Sequence, residues 1–544
     1  MGRGARAARF SSMADRYYLT TPIYYVNDRP HIGHAYTTIL ADVVARRRRM
    51  TGYDVRFLTG TDEHGASVAQ AAGRRGIDAR AHVDELAPSW KSTWDRLEIR
   101  YDRFIRTTDA DHAAVVRQAL NALKSGADPE GRPLLYEDVY RGWYCVSDER
   151  YWTEKDLVEG RCPECGKPVE EIAERNWFFR MSSFQEALVE HVRSHPGFIH
   201  PDTRANEVLG FLREPLGDLC ITRPRERLSW GIPIPWDEGF VTYVWVDALL
   251  NYVTGTVDAG GDPEADARRA IAAWNEHPAD VHLIGKDILT THSVYWITLL
   301  MALGWSLPRQ ILAHGWWIWE GAKMSKSVGN VVRPEELVPE FGVDGVRYYL
   351  LREMTLGQDS SFSYESIVRR LNADLANDLG NLHSRITKMA ERWLDGRLPP
   401  RREAAGRANE AALRELAERL VADGAEGSVS EAWGQWRIHT ALERVLGLVS
   451  ATNEYLEAQA PWARAREPED RAEVGAILLH AAEALRLATV LLWPVVPELA
   501  QRLLADLGQP EVPRGEHLRW GVLDGVRVSP GPPIYRRIEP AAAT

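Results

Sequence analysis

Lysine is nearly missing from this chain: eight of its 66 basic residues are Lys and the other 58 are Arg. Cysteine is scarcer still, four in 544 residues, which excludes a disulfide framework and makes a reducing compartment the expectation. No uninterrupted apolar run approaches the roughly 18 residues of a membrane-spanning helix, so no membrane partner is expected. Internal repeats are absent as well, which excludes a solenoid or propeller. The net charge of −11 neither demands nor excludes a nucleic-acid partner, because a local basic face coexists readily with an acidic whole. Acids are lacking from the opening stretch MGRGARAARFSS, but it is short for a transit peptide and Met13 serves equally well as a start. The expectation is a disordered segment over 1–14 and a cytoplasmic protein, its Arg/Ala/Gly-heavy composition being that of high-GC bacterial coding.

Against that scarcity, two of the eight lysines stand three residues apart in GAKMSKSVGN, at Lys323 and Lys326. Arg is a rigid planar fork, whereas Lys is a compact, mobile point charge suited to gripping a polyphosphate that must then leave. Alone, K-x-x-K is as well read as a solvated turn. The length requires two to four domains. From Tyr17 the pattern is strand, turn at Asn27–Pro30, helix from Gly33 to about Met50, then a second buried strand YDVRFLTG, the opening of a doubly wound nucleotide-binding domain. The segments expected are a Rossmann-type domain over 15–128 and 227–320, with a small insertion over 129–226 holding a knuckle at 145–165. A lysine-loop region at 321–372 follows, then an all-α bundle over 373–508 with leucine, alanine and valine stripes of period 3.6, and a tail at 509–544 packing back.

His31, Gly33 and His34 form H-x-G-H at the strand-to-helix turn, where free N–H groups and the helix dipole suit phosphate. Gly33 clears a path for a nucleotide, and imidazoles three residues apart can both donate to phosphoryl oxygens. Paired with Lys323-Met-Ser325-Lys326-Ser nearly 300 residues on, this resembles a class I aminoacyl-tRNA synthetase. The run TTPIYYVNDRPHIGHAYTTILADVVARRRRMTGYDVRFLTGTDEHG is similar, over its whole length, to the methionyl-tRNA synthetase family, and the resemblance extends from about Tyr17 beyond Trp462. Leucyl, isoleucyl and valyl enzymes need a larger insertion. A cysteinyl enzyme, a small-metabolite nucleotidyltransferase and a non-catalytic tRNA-binding paralogue are the alternatives.

The resemblance implies ATP, with Mg²⁺ as counter-ion, contacted by His31, His34, Gly33, Lys323, Ser325, Lys326 and Asp287. By position Asp287 suits a ribose-binding acid, a helix N-cap, or both at once. It also implies L-methionine in a slot of Ile23, Asp62, Trp245, Ala248, Tyr252, His292 and Trp296, with Asp62 on the ammonium. Trp245 is expected to end a strand, with Ala248 and Tyr252 one turn apart on the next helix; such aromatics otherwise simply fill core. In the helical half, Asn377, Asn381 and Arg385 share a face at i, i+4 and i+8, a solvated face by default, while Leu375, Leu379 and Leu382 turn inward. The resemblance implies tRNA(Met) as partner, with anticodon contacts at Asn381, Arg385 and Trp462. Cys162-Pro-Glu-Cys165, with Cys145 and Asp148, is a zinc-knuckle pattern in which Asp148 stands where Cys or His is usual. It is read either as one structural Zn²⁺ or as a relic held by packing, remote from the H-x-G-H. No oligonucleotide-binding module follows the bundle, so a monomer is expected.

Overall fold

The computed structural model describes residues 15–146, 150–152, 154–163, 165–319, 322–323, 331–406 and 408–539. Its centre is a six-stranded sheet in which every neighbouring pair is parallel: β1 (Arg16–Tyr25), β2 (Asp54–Asp62), β3 (Arg103–Arg106), β4 (Ile199–His200), β5 (Val281–Gly285) and β6 (Ile311–His314), in the order β3-β2-β1-β5-β6-β4. Strand order reverses between β1 and β5, and a crevice opens at such a reversal beyond the carboxyl ends of the strands. β1 is buried along most of its length, as a central parallel strand must be. Its register against β2 shifts between Thr20 and Ile23. Pro22, which has no N–H to offer a ladder, sits in that irregularity, and the bend aims the end of β1 into the crevice.

Helix α1 (Ile32–Met50) follows β1, starting within a residue of where the sequence places it. Arg47, Arg48 and Arg49 close its last turn, where cations complement the helix dipole. The span 129–226 is not one uninterrupted excursion. Leu135–Cys145, Arg150–Trp152, Glu170–Phe179 and Leu219–Cys220 make an antiparallel sheet, but between the last two the chain returns to the main sheet and supplies its edge strand β4. Two residues of strand are too few for any sequence period to announce.

The second half is helical: Asn372–Gly380 in π geometry runs straight into α2 (Asn381–Leu394), and α3 (Ile438–Gln459) packs against α4 (Arg471–Leu492). Pro468–Leu492 is long and apolar enough to cross a membrane by length and composition, but that apolar window is wholly buried in the bundle. Arg347, also wholly buried, ties the halves together. Its guanidinium donates to Asp42 Oδ2 of α1 at 2.6 Å and to the carbonyls of Leu97, Pro494 and Val495. The tail lies against the bundle: Glu483 on α4 accepts the N–H groups of Gly521, Val522 and Leu523, and Ile538 pairs with Asn372.

Candidate active site

At the mouth of the crevice, His31 is the N-cap of α1. Gly33 N donates to His31 Nδ1 at 3.1 Å and His31 N donates to His34 Nδ1 at 3.3 Å, a reciprocal capping box built from two imidazoles. The rings stack with centroids 3.7 Å apart. Each Nδ1 is engaged as an acceptor, so each neutral ring carries its proton on Nε2. The sequence expectation that both rings serve phosphate is thereby narrowed to one nitrogen each. A Cβ on Gly33 would stand 2.9 Å from His31 Cε1, so the glycine makes room for the cap itself as well as for a ligand. Tyr24 and Trp90, stacked at 5.2 Å, back His34 from the core side.

The rings open onto a cavity of about 920 Å³. Ile23, Asp62, Trp245, Ala248, Tyr252 and His292 all line it; Trp296 does not. Trp296 is fully buried behind the wall, where its Nε1–H donates to His282 Nε2 at 3.2 Å. Trp245 stands in the first turn of the helix Val244–Leu249, the strand having ended at Thr242, so its expected place at a strand end is corrected. The run of β-branched residues there looks like strand, and tertiary packing overrides it. Tyr252 Oη donates to His292 Nε2 at 2.7 Å, since His292 Nδ1–H is committed to the Ile288 carbonyl at 2.9 Å. Burial pushes His292 down to about 4 against the pull of that carbonyl, so this wall is uncharged. His282, unforeseen in the sequence, underpins the wall: it packs 4.2 Å from the Tyr252 ring and pairs with Thr20. Burial holds it well below the usual imidazole range. An aromatic, neutral slot with one buried carboxylate, Asp62, suits a zwitterion with a soft apolar side chain.

Across the crevice Asp287 lines the cavity from a single turn after β5. That turn is not capped by any side chain, and its N-cap position is Gly285, so Asp287 is not the cap. His314 closes the floor, bonded to Thr37 of α1 at 2.7 Å and to the Gly315 carbonyl. Lys323 lies on the strand Ala322–Lys323, antiparallel to Trp317–Trp319; Ser325 and Lys326 fall outside the described residues.

Pro163 and Cys165 line the same cavity, with Arg204 and Glu207 beside them. The knuckle therefore borders the same cavity as the H-x-G-H, a correction to its expected remoteness that comes from tertiary packing. The sulfurs of Cys145, Cys162 and Cys165 lie within 4.8 Å of one another, and Asp148 is outside the described residues. Three converging thiols, two of them buried, fit a tetrahedral ion with Zn–S bonds of about 2.3 Å.

A second concavity, about 530 Å³, lies between α2 and α3 and is walled by Asn377, Asn381, Arg385, Asn453 and Glu457 among others. Arg385 donates to Glu457 at 2.7 Å, and its guanidinium lies 5.3 Å from the ring of Trp462, which is 37% exposed. Leu375, Leu379 and Leu382 are fully buried on the opposite side, as their spacing predicts. Amide groups and a guanidinium in the groove, with an exposed indole against that guanidinium, are the equipment for splayed, stacked bases.

Residues 17–172 and 166–387 match the family model described as tRNA synthetases class I (M), and residues 400–521 match that of the anticodon binding domain of methionyl tRNA ligase. The methionine–tRNA ligase of Caldanaerobacter subterraneus subsp. tengcongensis is 42% identical over 531 residues, 97% of this chain and 80% of that one. That of Thermosynechococcus vestitus is 41% identical over 538 residues, 97% and 98% of the two chains. Among solved structures, Mycobacterium tuberculosis methionyl-tRNA synthetase bound by methionyl-adenylate matches with a TM-score of 0.87 at 40% identity, over 96% of this chain and 100% of that one. The apo form of the same enzyme gives 0.82 at 38% identity, over 97% and 99%.

Proposed function

The chain belongs to the class I methionyl-tRNA synthetases, and from that membership we propose how its residues share the work. It is a methionine–tRNA ligase: methionine and ATP give methionyl-adenylate and diphosphate, and the methionyl group then passes to the 3′ end of tRNA(Met), releasing AMP. The observation that carries the reading is the single cavity that joins the H-I-G-H helix start to an aromatic slot with a buried carboxylate.

The attacking methionine carboxylate is already ionised, so no general base is required, and positioning with electrostatics carries the step. Asp62 holds the substrate ammonium. Ile23, Trp245, Ala248, Tyr252 and His292 enclose the thioether, and Trp296 supports them from behind, against Tyr252 and His282. His31 and His34 donate from Nε2 to the α- and β-phosphates as charge moves onto them; Lys323 and Lys326 take the leaving diphosphate, with Gly33 and Ser325 close to the nucleotide and Asp287 on its ribose. Mg²⁺ accompanies ATP as counter-ion. Cys145, Cys162 and Cys165, with Asp148, would hold one structural Zn²⁺, which supplies a cross-link beside the cavity. Asn381, Arg385 and Trp462 receive the anticodon of initiator and elongator tRNA alike. We place the enzyme in the cytoplasm as a monomer.

Methionine-dependent ATP–pyrophosphate exchange without tRNA, followed by charging of tRNA(Met), tests the reading. Exchange driven by cysteine in place of methionine, or tRNA binding with no exchange, would overturn it.

A further inference from the structure

Asp247 lies between Trp245 and Ala248 on their helix, yet it points away from the cavity and is wholly buried. Its Oδ2 accepts from His64 Nδ1 at 2.7 Å and its Oδ1 from His112 Nε2 at 2.8 Å. His112 Nδ1 meets Thr254 Oγ1 at 3.0 Å. A buried carboxylate is costly unless charged or hydrogen-bonding partners surround it, so this cluster is not inert filling. Nor is it a proton relay: the carboxylate nucleophile needs no base, and neither Asp247 nor His112 reaches the cavity.

What the cluster does is join two pieces of the slot that no strand pairing joins. His64 follows Asp62 by two residues. The segment is pinned on its other side too: Val26 N donates to the Asp62 carbonyl at 3.2 Å, and Glu63 is paired with Arg106 at 2.6 Å. Asp247 sits on the helix that carries Trp245 and Ala248, and His112 ties that helix to Ala110–Ser125 behind it. We propose that Asp247, acting through His64 and His112, is a positioning residue that fixes the Asp62 end of the slot against its Trp245–Ala248 wall and so sets methionine affinity and selectivity. The inference rests on the cavity being the methionine site.

The test is ATP–pyrophosphate exchange with the full-length protein, varying methionine and ATP separately. Asp247→Asn exchanges one oxygen acceptor for an NH₂ and removes the negative charge, so neither imidazole keeps a charge-assisted bond to the helix. The methionine KM should rise about tenfold, the scale of one lost charge-assisted hydrogen bond, while kcat and the ATP KM stay within about threefold. The ratio of kcat/KM for methionine over norleucine should fall. His64→Leu should do the same. His64→Asn, whose amide N–H falls where Nδ1–H was, should bring the methionine KM back towards wild type. Combining Asp247→Asn with His64→Leu should cost clearly less than the product of the two effects, because both act on the His64–Asp247 contact. The proposal is overturned if kcat and both KM values collapse together, if His64→Asn is as impaired as His64→Leu, or if the double variant multiplies the two effects. Should Asp247→Asn fail to fold, the His64 pair decides by itself. A wild type inactive with methionine overturns the functional reading and this inference with it; an active wild type without the KM split overturns the inference alone.

Discussion

Replacing His31 by Asn and by Gln separates the two jobs assigned to that ring. Asn carries an acceptor where Nδ1 was, so Gly33 N keeps its partner at the helix start, but nothing reaches to where Nε2 was. Gln reaches that far with an N–H and leaves the cap unmade. An N-cap bond contributes about 1 kcal/mol, so its loss should make amide exchange in the first turn of α1 roughly fivefold faster. A donor aimed at charge developing in the transition state is worth about 10²–10³ in kcat. His31→Asn should therefore lose about two orders of magnitude in the kcat of methionine-dependent exchange while residues 32–36 stay as protected as in wild type. His31→Gln should retain more activity with a frayed first turn. Hydrogen exchange by mass spectrometry on a peptide spanning 31–40 reads the cap, and pyrophosphate exchange reads the chemistry. Gly33→Ala offers a check from the same geometry: its Cβ, 2.9 Å from His31 Cε1, must push the ring aside, and activity should fall without any change in the imidazoles themselves. If His31→Asn kept full kcat, or if cap and activity always failed together, the division of labour between Nδ1 and Nε2 would be wrong.

Lys326→Ala should depress the kcat of adenylation far more than it raises the methionine KM, and Lys326→Arg should be impaired too; a pure methionine-binding defect refutes the diphosphate role. Trp462→Ala should weaken tRNA charging by about 1–3 kcal/mol while exchange without tRNA stays near wild type; a joint fall would make Trp462 a fold residue. Burial pushes Asp344 up to about 6 although Leu499 N and Arg347 pull it down, and its Oδ1 has no hydrogen-bond partner among the described residues. The folded protein thus holds that proton above the ordinary carboxylate value of about 4, so this group's contribution to stability falls as pH rises from about 4 through 6 and is level beyond. Urea unfolding across that range should show the decline in wild type and not in Asp344→Asn. Elemental analysis should find about one zinc per chain, and Asp148→Cys should tighten it because thiolate is the softer donor; a fully active, metal-free protein would make Cys162 and Cys165 relics.

Local signals were legible before folding. Pro30 and Gly52 bracket α1, the apolar period runs between them, and the helix was found at Ile32–Met50; Leu375, Leu379 and Leu382 turned inward for the same reason, because a side chain's direction on a helix depends on spacing alone. Spacing alone did not distinguish Trp245, Ala248 and Tyr252 from core filling; the family resemblance singled them out with Ile23, Asp62 and His292, and all six line one cavity. Trp245 kept its place on the cavity although its strand became a helix, since lining a cavity depends on position and not on the element's type.

What the linear order could not contain is everything that depends on elements separated by a hundred residues or more. Trp296 was assigned to the slot and lies behind it, packed against the far side of the lining Tyr252 and bonded to His282 of β5. Pro163 and Cys165 line the same cavity as His31 and His34, and the edge strand Ile199–His200 leaves the antiparallel excursion to pair with β6. His64, His112 and Asp247 carry no motif and become a cluster only where three elements meet. Hydrogen bonds of under 3 Å between residues 135 and 183 positions apart are decided by packing, to which sequence spacing is blind; spacing along α1 and the H-I-G-H turn acts over one or two helical turns, and there the sequence alone was sufficient.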